Sequence, residues 1–165
     1  MRRTVQGIVL REINYKEADK ILTVLTREEG KLTLKARGCR RKNSRLLASS
    51  QLLVYSELAI TQRGEFITLA EGDPLTQFRR LGEDIDKLAL ASYFAEVTEK
   101  TVQEGEVCPD ILSLLLNCLY ALDTLDKPLE QVKAVFQLRL LTLTGLAPLL
   151  DTCVVCGNPQ PEEPR

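Results

Sequence analysis

Lys31-Leu32-Thr33-Leu34-Lys35-Ala36 alternates polar and apolar side chains without a break, then runs into Arg37-Gly38-Cys39-Arg40-Arg41-Lys42-Asn43-Ser44-Arg45. A period of two over six residues is the pattern of a half-buried β-strand. The continuation is not core. From Lys35 to Arg45 it carries six cations and no acidic residue, and unpaired charges are too costly to desolvate. The unit from which the chain is read is therefore a strand that ends in an exposed cationic loop.

Working outward, similar short segments lie on both sides. Upstream are Thr4-Val5-Gln6-Gly7-Ile8-Val9-Leu10 and Ile21-Leu22-Thr23-Val24-Leu25-Thr26, joined by the polar stretch Asn14 to Lys20. Glu28-Glu29-Gly30 supplies a turn. Downstream, residues 52–60 and Phe66-Ile67-Thr68-Leu69-Ala70 read as two more strands around Arg63-Gly64. Five short strands with no room for a helical crossover predict a small antiparallel barrel. The OB-fold is the five-stranded solution that also binds oligonucleotides, although the strand count equally permits an SH3-like barrel. Among the aromatics, Phe66 is expected in the barrel core and Phe78 at the junction between the barrel and the C-terminal half. Tyr15, in a polar loop, is the one candidate for base stacking.

After Asp73-Pro74 the period becomes helical. Leu81, Ile85, Leu88, Ala91 and Ala95 form a stripe with three- and four-residue spacing. Glu104-Gly105-Glu106 interrupts it, and Pro109 suits the first turn of a second helix that is apolar nearly all round from Ile111 to Leu122. A third begins at Asp126-Lys127-Pro128, with Leu129, Val132, Val135, Phe136, Leu140 and Leu143 facing inward, and stops at Gly145. The expected class is α+β: a five-stranded barrel, OB-fold or SH3-like, over 1–80, an α-helical bundle over 81–150, and a knuckle with its tail over 151–165. Any part of the second helix left exposed would form a groove for a partner peptide.

Charge divides at the same place. Residues 1–80 carry 16 Lys+Arg against 9 Asp+Glu, a net of +7, while residues 81–165 carry 6 against 14, a net of −8. The overall charge of −1 hides a basic half suited to nucleic acid. Histidine is absent, which removes the commonest general base and weakens enzyme readings. No run of about 18 apolar residues is present for a membrane span, and the N-terminus lacks a secretory pattern. The expected location is the cytoplasm, associated with the nucleoid, with no membrane partner.

A basic run is often only a solvated face. Here four of the six cations are arginines, whose planar fork pairs bidentately with phosphate, and Gly38 allows a close backbone approach. Asn43 and Ser44 add neutral donors. Lys35, Arg37, Arg40, Arg41, Lys42 and Arg45, with nearby Lys16 and Lys20, are therefore the candidates for contact with a nucleic-acid backbone. Cys153-Val154-Val155-Cys156-Gly157 is a CxxC knuckle that can offer two thiolates to zinc, half of a closed four-ligand site. Cys39, Cys108 and Cys118 are scattered and read as packing positions.

Gly7-Ile8-Val9-Leu10 with Asp19-Lys20-Ile21, Thr26 to Lys31, and the loop Lys35 to Arg45 together resemble the N-terminal barrel of the bacterial recombination mediator family RecO. Leu140 to Gly157 is similar to that family's lead-in to its zinc knuckle. The resemblance spans essentially the whole chain, and at the C-terminus it departs: family members continue with a second cysteine pair and further helices, so a shortened version with an incomplete zinc site is expected. The resemblance implies a non-enzymatic protein that binds single- and double-stranded DNA, anneals complementary strands, and works with RecR and the single-strand-binding protein SSB to load RecA at gaps. It assigns DNA contact to Lys35, Arg37, Arg40, Arg41, Lys42 and Arg45. The competing reading is a protein-interaction module whose helical half docks a partner while the loop is merely solvated. A zinc or redox enzyme built on Cys153 and Cys156 ranks last.

Overall fold

The computed structural model describes residues 1–159. Five strands, β1 (Arg2–Tyr15), β2 (Asp19–Thr26), β3 (Gly30–Ala36), β4 (Tyr55–Arg63) and β5 (Phe66–Thr76), close into a barrel in the order β1-β2-β3-β5-β4. All pairs are antiparallel except β3 with β5, where Leu34 faces Ile67 and Lys35 faces Thr68. That parallel closure between non-consecutive strands selects the OB-fold over a simple meander. β1 is long enough to serve two neighbours: Arg2 to Ile8 pairs with β4, and Gly7 to Tyr15 with β2, the register shifting between Val9 and Arg11. The shift is a bulge of the kind that bends a strand around a barrel corner.

The barrel interior is filled by Val5, Val9, Leu22, Val24, Leu34, Leu58, Ile60 and Leu69, the inward members of each alternation. Two residues of the connection after β3, Cys39 and Leu46, belong to the same cluster.

A short 3-10 turn, Arg79–Glu83, leads into α1 (Ile85–Thr101), α2 (Pro109–Thr124) and α3 (Leu129–Leu143). Asp84 caps α1 by accepting from the N–H groups of Asp86 and Lys87 at 3.0 and 3.2 Å. Pro109 occupies the first turn of α2. α2 is the central helix, burying Ile111, Leu112, Leu114, Leu115, Cys118, Leu119 and Leu122. α1 meets α3 through Phe94 and Phe136, whose rings stack with centroids 4.1 Å apart. The helices do not stand apart from the barrel. One cluster joins Ile8, Leu10, Leu25, Leu53 and Tyr55 to Leu81, Phe94, Leu112, Leu115 and Phe136. Gly30, at φ +71, lies where an added Cβ would collide with the Glu106 backbone, so the α1–α2 connection rests directly on the start of β3.

Several expectations need correction. Phe66 is 79% exposed instead of core, because it is the first residue after the Gly64-Glu65 turn and the inward alternation begins with Ile67 and Leu69. Ile85 is 82% exposed and Leu88 is also exposed, because α1 starts at Ile85 and its buried face is set by Ala91, Phe94, Ala95 and Thr98. On α3 only Val132, Phe136 and Leu140 are buried, while Val135 and Leu143 reach solvent. The fourth strand begins at Tyr55, three residues late, because residues 52–54 still belong to the loop exit.

Candidate nucleic-acid interface

The basic segment is a chain of tight turns, in which Arg41 N–H donates to the Gly38 carbonyl at 3.1 Å, Ser44 N–H to Arg41 at 2.9 Å, and Leu47 N–H to Ser44 at 3.2 Å. Local bonding of this kind needs no strand partner, so the segment folds out from the barrel end. It is nevertheless fixed. Cys39 and Leu46 are buried in the barrel, Ser49 and Ser50 are buried beside them, and Gly38, at φ +64, makes the first reversal. Gly38 N–H donates to Asp19 Oδ1 at 2.8 Å, and Arg40 N–H donates to the Ala18 carbonyl at 3.0 Å. The Arg40 guanidinium reaches the carbonyls of Lys16 and Glu17 at 3.5 and 3.2 Å. Burial of Cys39 and Leu46 and these polar ties together hold the loop against the three-residue β1–β2 turn.

This arrangement sorts the predicted cations. Arg37, Arg41, Lys42 and Arg45 are exposed and make no side-chain hydrogen bond or ion pair among the described residues. Arg40 is exposed but partly spent on the turn, in a contact that leaves its charge uncompensated. Lys35 is half-buried, 3.9 Å from Asp19 Oδ2 and with Nζ 4.7 Å from the Tyr15 ring centroid. Lys16, exposed and at φ +54, has its Nζ 5.5 Å from the same ring. These seven share one end of the barrel. Lys20 does not join them. It points inward at 7% exposure, its Nζ 2.8 Å from Glu12 Oε2 and 3.5 Å from the Ser50 carbonyl. β2 alternates, and position 20 shares the inward parity of Leu22 and Val24, which removes this cation from the surface.

Asp19 and Cys39 are the site residues that charge counting passes over. An acidic residue beside a basic loop reads as a dilution of its charge, whereas here it is the loop's hydrogen-bond anchor. Ser44, expected from the sequence to be a phosphate donor, accepts from Leu46 N–H at 3.2 Å and closes a turn.

At the other end of the chain the knuckle is formed locally. Gly157 N–H donates to the Cys153 carbonyl at 2.8 Å, and Cys153 N–H to Asn158 at 2.9 Å. Backbone N–H groups of Cys156 and Val155 hold the Cys153 thiol below its ordinary range, as suits a thiolate ligand. Two thiols do not make a closed zinc site, and among the described residues no group of three His, Cys, Asp or Glu gathers to complete one. Between α2 and α3 lies a largely apolar groove of about 670 Å³, lined by Leu114, Cys118, Val132, Val135 and Leu143, with Asp110, Lys127 and Arg139 as its charged members. Among the described residues no helix is long and apolar enough to cross a membrane.

Comparison with known proteins finds matches on both sides of the junction. The family profile for Recombination protein O N terminal matches residues 1–78, the barrel, and that for Recombination protein O C terminal matches residues 82–164. The DNA repair protein RecO of Acetivibrio thermocellus is 34% identical over 152 residues, covering 92% of this chain and 61% of the relative. That of Caldicellulosiruptor saccharolyticus is 36% identical over 151 residues, covering 92% and 62%. The Halalkalibacterium halodurans protein is 33% identical over 158 residues, covering 96% and 62%. The chain thus spans about three fifths of the length of these curated relatives. Two adjoining profile matches over a closed barrel and its helices place the chain in the RecO family of DNA repair proteins.

Proposed function

We propose that the chain binds DNA through the loop at the barrel end and serves as a recombination mediator. In this reading it holds and anneals complementary single strands and, with RecR, helps exchange SSB for RecA at gaps. The observation that carries it is the set of four exposed, unpartnered cations (Arg37, Arg41, Lys42 and Arg45) on a loop that is otherwise tightly fixed. Phosphate neutralisation releases counterions, and two strands that repel one another approach more easily over a shared cationic surface. The work is electrostatic and positional and calls for no nucleophile or general base.

The test is binding of a fluorescent single-stranded oligonucleotide across a salt series, for wild type and the Arg40→Glu/Arg41→Glu double variant. With about four to six phosphates engaged, log K should fall against log[salt] with a slope near −3 to −4. The variant should lose most of its affinity and show a shallower slope. A flat salt dependence in the wild type would sink the mechanism.

A second reading, a protein-docking module, is favoured by the α2–α3 groove, whose apolar lining, with two cations (Lys127 and Arg139) against one carboxylate (Asp110), suits an amphipathic peptide such as an SSB tail. The same double variant separates the two, since peptide docking in the groove would survive it.

A further inference from the structure

The β1–β2 turn and the basic loop meet at Tyr15. Its ring ends β1, is 41% exposed, and has two ammonium groups, Lys35 and Lys16, within 6 Å of its centroid. On the outer face of the barrel Tyr15 faces Asp19, Ile13 faces Ile21, and Ile21 in turn faces Lys35. Ile13 is exposed and Ile21 partly so, which leaves an apolar step beside the ring. The acidic groups nearby are few. Asp19 is occupied by Gly38 N–H and Lys35, Glu12 by Lys20, and only Glu17 projects from the turn itself. The other aromatics of the barrel half are unsuited: Tyr55 is buried, Phe78 is half-buried against the helices, and Phe66 sits on the β4–β5 turn next to Glu65.

We infer that Tyr15 stacks an unpaired base, so that this interface takes single-stranded nucleic acid in preference to duplex. The inference rests on the proposed DNA binding and adds to it a reason for strand selectivity. Phosphate contacts alone do not favour a single strand, since a duplex carries the higher charge density; a ring does, because base faces in a duplex are already covered by their neighbours. An exposed lysine resting on a ring contributes about two- to fivefold to an equilibrium, whereas a base stacked on an aromatic side chain contributes roughly 5- to 150-fold. An arriving base therefore displaces a lysine from the ring. The freed ammonium of Lys35 or Lys16 is then within one side-chain length of that nucleotide's own phosphate.

The test compares Tyr15→Leu and Tyr15→Phe with wild type, all as the full chain, on three probes: an oligo-dT strand, an abasic strand of equal length, and a duplex. Tyr15→Leu should weaken oligo-dT binding about tenfold and leave the abasic strand and duplex unchanged, and Tyr15→Phe should behave as wild type. The chain contains no tryptophan. Tyr15→Trp therefore adds a single indole, whose fluorescence should be quenched by oligo-dT and not by the abasic strand. Equal loss on oligo-dT and abasic strands, or an unquenched indole, overturns the stacking role while leaving loop binding intact. A wild type that binds none of the three probes overturns both this inference and the proposed function.

Discussion

The ammonium of Lys20 and the carboxylate of Glu12 form a pair of unequal burial, the lysine side chain 8% and the glutamate 32% exposed. That inequality sets the consequence of breaking it. Glu12→Ala strands a buried cation whose one remaining partner is the distant Ser50 carbonyl, and an uncompensated buried charge is expensive, so a loss of about 2 kcal/mol is expected. Lys20→Met leaves a carboxylate that can turn to water and places apolar surface against the barrel end, so it should cost less than half as much. Urea denaturation of the two variants gives the comparison. DNA affinity of the Lys20→Met chain should equal that of wild type. A several-fold fall in that affinity at unchanged stability would return Lys20 to the interface. The lysine's sequence neighbourhood looks basic and polar; only the parity of β2, fixed by Leu22 and Val24 on the same side, reveals that position 20 turns inward.

At the scale of the element, strand interiors and the three α-helices are legible because periodicity reports which face is buried. The clean alternation of Lys31 to Ala36 corresponds to β3, lengthened by one residue. What periodicity does not report is phase after a break: the 3-10 turn at Arg79–Glu83 uncouples Leu81 from α1 and leaves Ile85 in solvent. Nor does it report how many neighbours a helix will find. α3 has apolar residues on more faces than its packing partners cover, so Val135 and Leu143 line a groove instead of a core. α2 is the opposite case, and its burial has a titratable consequence. Burial pushes the Cys118 thiol up from 9.0 to about 11. Between those values the unfolded chain releases this proton while the folded chain retains it, so stability is fully present below about pH 9 and declines as pH rises towards 11. Cys118→Ala should be less stable at neutral pH, from the small cavity, yet show a shallower decline over this window. Denaturation midpoints at pH 8 and pH 10.5 measure both effects, and parallel declines for the two proteins would reject the assignment to Cys118.

At the scale of the whole molecule, the charge boundary near residue 80 is not a mechanical one. The basic barrel and acidic helices share a single apolar cluster, in which Ile8, Leu10 and Leu25 from β1 and β2 pack with Phe94, Leu112 and Leu115. Polar ties cross the same seam: Arg11 lies 3.5 Å from Glu99 Oε1, Lys31 Nζ donates to the Glu99 carbonyl at 2.7 Å, and Gly105 N–H donates to Lys31 at 3.0 Å. Stripped of the helices, the barrel half would expose Ile8, Leu10, Leu25, Leu53 and Tyr55, a change that a small barrel with limited core tolerates poorly. Barrel and helices should therefore unfold together. Phe94→Ala removes a fully buried ring that stacks on Phe136 and should cost about 3–5 kcal/mol. Although residue 94 belongs to α1, the loss should appear in the barrel too. Native-state hydrogen exchange of the amides of Leu22 to Leu25 should accelerate by as large a factor as that of Leu112 to Leu115. Barrel amides that keep their wild-type protection would show two separable folding units. The loop at the barrel end would then keep its shape whatever happens to the helices, and DNA binding and partner docking would be mechanically independent functions.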